Sequence, residues 1–346
     1  MAASLQQVAD LAGVSVATAS RVLSGSPHPV AAATRQRVLD AASELDFEPN
    51  LLASGLARRR IQAVAVMVHD MMDEYFSEIA RGIEDEAYAN GYVTLICNTD
   101  RDPAKELHYL RRLRSMHVDA VIFTAGGVRD TTHRAEVARQ LAQIEDAGGV
   151  VVRLAPFADG RPDVTYSNDA GFQLVVDHLV ELGHREIAYL AGPPNIVTSQ
   201  ERVNAVRRAL RRHRLELPAT NVFAGLFSRS AGVDAAHRFV KTACLATAVV
   251  CSNDQAAIGF VRGLRDHGVV VPDDVSVVGF DDITPCAYVE PPLTTVHVPL
   301  HEIGARGMRV ALRLLDGVPR AEPEVLDLQL VVRASCAPPM GVGGRG

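Results

Sequence analysis

From residue 63 onward the chain repeats one pattern: a short apolar run rich in β-branched residues, then an amphipathic helical stretch. The runs fall at 63–68, 93–97, 120–124, 150–154, 187–191, 222–226, 248–251 and 275–280, and helical periodicity over 12 or more residues separates most of them. Alternation of this kind places strands side by side in parallel sheets with helices on both faces. Eight strands exceed one minimal unit and divide into two similar lobes, breaking at the Gly-Arg-Pro-Asp of 160–163. A cleft between two doubly wound lobes, lined by strand C-terminal ends, is where such folds bind small molecules.

The first sixty residues follow a different grammar, all short helices. Leu5, Val8, Ala9 and Ala12 recur at helical spacing, and Ser4 with Gln7 fits a capping box. Gly13 ends that helix, Val14 plugs the corner, and Ser15 caps a second helix whose inward face is Ala19, Val22 and Leu23. A third carries Val38, Ala42 and Leu45 inward and is closed by Pro49 and Asn50. Helix, Gly-containing turn and helix make the helix-turn-helix geometry, whose second helix enters the DNA major groove; a plain three-helix bundle is the other reading of the same spacing. Val16 and Ala17, at the N-terminal end of that helix, suit thymine methyl groups, and Arg21 suits a guanine edge or a phosphate. Within the segment 49–57 a helix of about eight residues is marginal in water by itself, and Gly55 costs it about 1 kcal/mol relative to Ala. With Leu56 as an apolar wedge, it suits folding on contact with a minor groove; packing of its leucines on the head is the alternative.

Charge permits this division without proving it. Residues 1–60 carry six Arg and five acidic residues, a net +1, so the remainder carries −7 within the chain's total of −6. The apolar runs fall far short of the roughly 18 residues a membrane helix needs, and the first thirty residues contain no basic region followed by an apolar core. Five cysteines with no Cys-x-x-Cys pair argue for reduced thiols in a cytoplasm.

Taken together, the motifs closely resemble the lactose/galactose repressor family. The likeness runs through Val8-Ala9-Asp10, Ala12-Gly13-Val14-Ser15, Thr18, Ser20-Arg21-Val22-Leu23, Thr34-Arg35, Pro49-Asn50, Ala53 and Leu56. It continues in Cys97-Asn98-Thr99-Asp100, Glu181-Leu182-Gly183-His184-Arg185, Ser252-Asn253-Asp254, the stretch 272–282 and the stretch 291–296, covering about 4–333. The resemblance implies a helix-turn-helix head on a two-lobed, periplasmic-binding-protein-like α/β body, acting as a homodimeric repressor. Its hinge helices would pair in the minor groove of a palindromic operator. By matching position, Leu56 corresponds to an intercalating leucine, Val16 and Ala17 to the specificity pair, and Thr18 and Arg21 to supporting contacts. Ser15, Ser20, Asn50 and Ala53 complete the candidate DNA-binding set. Ala31 stands where a Ser usually caps the third helix.

In the body, Asn253-Asp254 and Asp281-Asp282 each follow a strand-like run. An amide and a carboxylate at strand ends can bond ligand hydroxyls, or can merely cap helices. The resemblance assigns effector contacts to Arg202, Asn253 and Asp281, an aromatic flank to Phe227, and first-lobe contacts to Asp70, Tyr75 and Phe76. Met71-Met72-Asp73-Glu74, Ala155-Pro156 and Ser167 depart from the family's usual residues, and the last two remove polar groups. A sugar or glycoside heads the list of effectors.

The expected organisation is a head at 1–49, a hinge at 50–60, a body at 61–336 and a disordered tail at 337–346. Within the body, lobe one spans about 61–161 and 293–320, and lobe two about 162–292 and 321–336. A tail without leucine heptads argues for a dimer over a coiled-coil tetramer. Arg207, Arg208, Arg211, Arg212 and Arg214 read as a solvated helix face. His297 and His301 are separated by Pro299, which spoils a shared helix face for a metal. No nucleophile elbow, phosphate-cradling loop or zinc-protease motif occurs, so neither an enzyme, a cofactor nor a metal is expected. The rival reading is a solute-binding transport protein, which shares the two-lobed body.

Overall fold

The structure, a computed structural model, describes residues 3–23, 29–47, 62–155, 161–242 and 244–339. The hinge, with Asn50, Ala53 and Leu56, therefore lies outside the described residues, as do Pro49, Pro156 and the tail from 340.

Among the described residues three helices form the head: α1 (Leu5–Ala12), α2 (Val16–Leu23) and α3 (Ala32–Glu44). The capping box is present, with both Ser4 and Gln7 engaged, and Gly13 takes the left-handed conformation (φ 64°) that a side chain would resist. Val8, Ala9, Ala12, Ala19, Val22, Val38, Ala41 and Ala42 form the buried core, with Val14 and Leu23 packed on its edge. Ala31 leaves the start of α3 without a side-chain cap. The third helix stops at Glu44, earlier than the expected close at Pro49, because Asp46 turns left-handed (φ 47°).

The body contains two four-stranded parallel sheets. The first orders its strands β2-β1-β3-β4: β1 (Ala63–Val68), β2 (Val93–Asn98), β3 (Ala120–Phe123) and β4 (Val150–Arg153). All six residues of β1 are buried, as expected of a strand covered on both faces. The covering helices are α4 (Glu74–Ala89), α5 (Pro103–Met116), α6 (Thr131–Asp146) and a late arrival, α11 (Leu300–Leu315). α4 and α11 touch backbone to backbone, since a Cβ on Gly82 would lie 1.9 Å from His301 O and one on Gly304 would lie 2.0 Å from Ile79 O.

The second sheet is ordered β7-β6-β8-β9: β6 (Ile187–Ala191), β7 (Val222–Ala224), β8 (Ala248–Cys251) and β9 (Ser276–Val278). Its helices are α7 (Asn168–Glu181), α8 (Val197–Arg212), α9 (Arg229–Lys241) and α10 (Asp254–Asp266).

Four three-residue strands join the lobes and were not visible as apolar runs: β5 (Val164–Tyr166), β10 (Thr295–His297), β11 (Glu324–Leu326) and β12 (Gln329–Val331). β5 pairs with β11, and β10 with β12. They also correct one expected boundary. Residues 293–297 belong with lobe two, because Gly279 and Asp281 donate their amides to Thr294 O and Val296 O. The crossover into lobe one comes at Pro299, where α11 begins. Ala337, expected in the tail, is anchored: its O accepts from His184 Nε2 (2.9 Å) and Ser276 Oγ (3.1 Å), and its amide bonds Ser276 Oγ.

Candidate functional site

On the head, α2 buries Ala19 and Val22 and exposes Ala17, Ser20 and Arg21. Spacing of three and four residues sets these three on one face. Val16 is only half exposed and packs on the head core. The Ser15 and Thr18 hydroxyls bond each other at 2.9 Å, and Ser15 Oγ also accepts the Thr18 amide, so both hold the helix start in shape.

In the body, helices begin where strands end, and three of their capping residues, Asp73, Ile196 and Asn253, line a cleft between the lobes. It encloses about 650 Å³, open mouth included. Asn253 caps α10 by accepting the Ala256 amide (3.1 Å), and its NH2 group has no partner among the described residues. Asp73 caps α4 through the Tyr75 amide (3.2 Å), and Ser167 caps α7 through the Ala170 amide (3.1 Å). Asn253 thus caps a helix with its oxygen and also faces the cleft.

The floor of the cleft is an arginine held from every side. Arg202 Nη2 reaches Tyr166 Oη (2.8 Å) and Asp281 Oδ1 (3.3 Å), Nε reaches Asn168 Oδ1 (3.3 Å), and Nη1 donates to Ser252 O. Its guanidinium carbon also stands 4.6 Å from the centroid of Phe280. Burial opposes the charge, but the Tyr166 hydroxyl and the Asp281 carboxylate outweigh it and hold Arg202 protonated. Asp281 itself has φ 119° and Asp282 φ 57°, a strained pair fixed by bonds to Val296 and Val298 of the crossover chain.

From lobe one come Tyr75 and Phe76, at the start of α4, and the partly buried His69 after β1. The Tyr75 and Tyr166 hydroxyls lie 3.3 Å apart. His69 contacts Thr99 Oγ1 (3.1 Å) and Gly126 O (3.3 Å); desolvation, reinforced by the nearby Arg101 charge, lowers its pKa to about 4, so the ring is neutral. Phe227 closes the lobe-two side.

Six of the seven expected effector residues therefore line this one cleft: Tyr75, Phe76, Arg202, Phe227, Asn253 and Asp281. Asp70 does not. Its carboxylate folds back onto the Met72 amide (2.9 Å), shaping the turn that delivers Asp73. Sequence reasoning missed His69, Asp73, Arg101, Tyr166, Asn168 and Thr198, all of which line it. Asp254 is also no ligand group: it is wholly buried, takes Thr295 Oγ1 (2.6 Å) and the Ile283 amide (3.0 Å), and burial lifts its pKa to about 6.

Contacts cross between the lobes on both sides of the cleft. On one side Glu74 pairs with Arg229 (3.2 Å) and takes a bond from Gln255, which also reaches Asp73 (3.3 Å). On the other, Val128 bridges Ile196, the Arg129 amide bonds Asn195 O (2.9 Å) and the Val197 amide bonds Gly127 O (3.3 Å). His297 and His301 are held apart by Asp282 and Asp85. No cluster of three metal-binding side chains occurs among the described residues, and the described cysteines are free thiols. Arg208 pairs with Asp169 and Arg212 donates to Gln173, on the exposed flank of α8.

Residues 4–50 match the family described as bacterial regulatory proteins, lacI family, and residues 176–336 match the periplasmic binding protein-like domain. The HTH-type transcriptional repressor PurR of Vibrio parahaemolyticus is 30% identical over 333 residues, 96% of this chain and 98% of that protein. Among solved structures, the Lac repressor dimer bound to operator and the anti-inducer ONPF aligns with a TM-score of 0.82 at 28% identity, covering 97% of this chain and 100% of that one. A complex of the transcriptional regulator CelR with cellobiose aligns at 0.71 and 30% identity, covering 96% and 99%.

Proposed function

Since the chain belongs to the lacI family of bacterial regulatory proteins, we propose that it is a repressor whose grip on DNA is set by a small molecule in the inter-lobe cleft. The observation that carries this reading is the cleft itself, where polar groups from both lobes converge while cross-lobe bonds flank it on each side. A ligand that binds the closed arrangement more tightly than the open one shifts the population between them, by about 1–3 kcal/mol in typical allosteric systems. Lobe movement changes the spacing of two hinges in a homodimer, and so the fit of the pair to a two-fold symmetric operator.

Ala17, Ser20 and Arg21 are the exposed side chains of α2 that would meet base edges and phosphates, with Val16 supporting them from its half-buried position. Asn50, Ala53 and Leu56 would act from the hinge, Leu56 as the wedge in the minor groove. The domain division that goes with this reading is a head at 1–49, a hinge at 50–60 and a body at 61–336, crossing into lobe one at Pro299. Arg202, Asp281, Asn253, Tyr75, Phe76 and Phe227 are the effector contacts, and a sugar is the first class of ligand to try. Such a regulator works beside the chromosome, in a bacterial cytoplasm; no helix among the described residues is long and apolar enough to cross a membrane. The chain is a regulator rather than an enzyme, and its head disfavours a transport role for the same body.

The test is selection of binding sites from random duplexes by the full chain. A palindromic site whose binding weakens steeply with salt supports the reading. Failure to enrich any sequence contradicts it.

A further inference from the structure

One charged group in the cleft has no hydrogen-bonded partner among the described residues, and only the more distant charges of Asp73 and Asp70 favour its protonated form. Arg101 follows β2 in a left-handed conformation (φ 57°), and no hydrogen bond or ion pair to its side chain occurs among the described residues. Its guanidinium carbon stands 5.8 Å from the ring centroid of Phe76 and 5.7 Å from that of Phe227, one aromatic from each lobe. The neighbouring carboxylates are committed elsewhere: Asp73 to the Tyr75 amide and Gln255, Asp70 to the Met72 amide. Arg202 and Asp281 hold each other.

A second feature points the same way. α8 starts at the cleft, where Ile196 and Thr198 line it, and no side chain caps that start. The Ser199 hydroxyl there is buried without a hydrogen-bond partner among the described residues. Ser199 Oγ and the edge of the Phe227 ring converge on Gly192, where a Cβ would lie 2.6 and 2.3 Å from them. The start of α8 therefore adjoins the same ring that Arg101 covers. Uncapped helix starts favour negative charge, and a guanidinium is suited to gripping a carboxylate or phosphate.

We propose that the effector of this protein carries an oxyanion, a carboxylate or a phosphate ester, which docks between Arg101 and the start of α8. The proposal rests on the effector-cleft reading above and narrows it from sugars at large to anionic ones.

Isothermal titration calorimetry of the full chain tests it with two matched pairs: galactose against galacturonate, and glucose against glucose 6-phosphate. The anionic member of at least one pair is expected to bind at least about tenfold tighter than its parent, as charge-assisted bonds do. Which pair responds tells carboxylate from phosphate. Arg101→Gln should abolish the advantage and Arg101→Lys keep part of it, while Arg262→Gln, on the exposed flank of α10 and paired with Asp266, should bind as wild type. If Arg101→Gln does not fold, the lysine variant carries the comparison. Parents that bind as tightly as their anions, or an anion preference that survives Arg101→Gln, overturn the proposal and leave the cleft reading standing. Absence of binding by all four probes, with Arg202→Ala equally inert, counts against both.

Discussion

Arg202 Nη2 stands 3.3 Å from Asp281 Oδ1, and each side chain is only 4% exposed. An ion pair so thoroughly removed from water is stable only as a pair, because either partner alone is an uncompensated buried charge. Asp281→Ala should cost about 3 kcal/mol, toward the lower end for a broken buried pair, since Tyr166, Ser252 and Asn168 still hold the guanidinium. Urea unfolding measures this. Below the variant's melting temperature, DNA binding should persist and ligand response should vanish. Stability within 1 kcal/mol of wild type, as a rough bound, would show that the pair is not what holds the floor of the cleft.

Glu74 tests the clasp. Its bonds to Arg229 and Gln255 link lobe one to the starts of α9 and α10. Partly exposed pairs contribute up to about 1 kcal/mol, so Glu74→Ala should raise the open-to-closed ratio about fivefold. Small-angle scattering of the ligand-free variant should give a larger radius of gyration, restored when a ligand binds. An unchanged scattering curve would show that the clasp does not influence closure.

His69 sets a pH dependence with a definite sign. Its folded pKa, about 4, lies below the ordinary 6.5, so the unfolded chain takes up the proton first as pH falls. The neutral ring's contribution is complete above about pH 6.5 and is lost progressively toward pH 4. Between pH 7 and pH 5 the wild type should lose about 2 kcal/mol more than His69→Gln. Asp254, raised to about 6, works in the opposite sense: its folded form binds the proton first, so it adds stability as pH falls through 6. For that reason only the difference between wild type and the His69 variant is diagnostic. Parallel pH profiles for the two proteins would rule out a buried, neutral His69.

The glycine contact between α4 and α11 gives a packing prediction. A methyl group on Gly304 would lie 2.0 Å from a backbone oxygen that cannot rotate away. Gly304→Ala should therefore cost about 1–3 kcal/mol by overpacking and, by displacing α4, blunt the response carried by Tyr75 and Phe76. A melting temperature equal to wild type would mean that the two helices can separate freely.

The sequence displayed what local chemistry writes. Ser4, Gln7 and Gly13 gave both ends of α1, and the long β-branched runs gave all eight main strands, several of them trimmed by a residue or more. It concealed what depends on partners distant in the chain. β5, β10, β11 and β12 have three residues each, too few for any periodicity, and they exist because the chain crosses between lobes there. Misplacing residues 293–297 followed directly from missing β10. In the cleft, Arg202 and Asp281 came from resemblance, since neither spacing nor composition unites residues so far apart. Tyr166, the last residue of the invisible β5, and Asn168, just beyond it, were missed with that strand. Arg101 was missed because its role arises from two aromatics on different lobes.

Fluorescence anisotropy of a labelled, selected duplex, titrated with the full chain at fixed salt with and without a ligand that raises its melting temperature, tests the central claim most directly. The account predicts binding about a thousandfold tighter than to a scrambled duplex. Ligand should change that affinity by about 5- to 150-fold in the wild type and leave it unchanged in Arg202→Ala. Equal affinity for both duplexes, or a ligand response undiminished in Arg202→Ala, would contradict it.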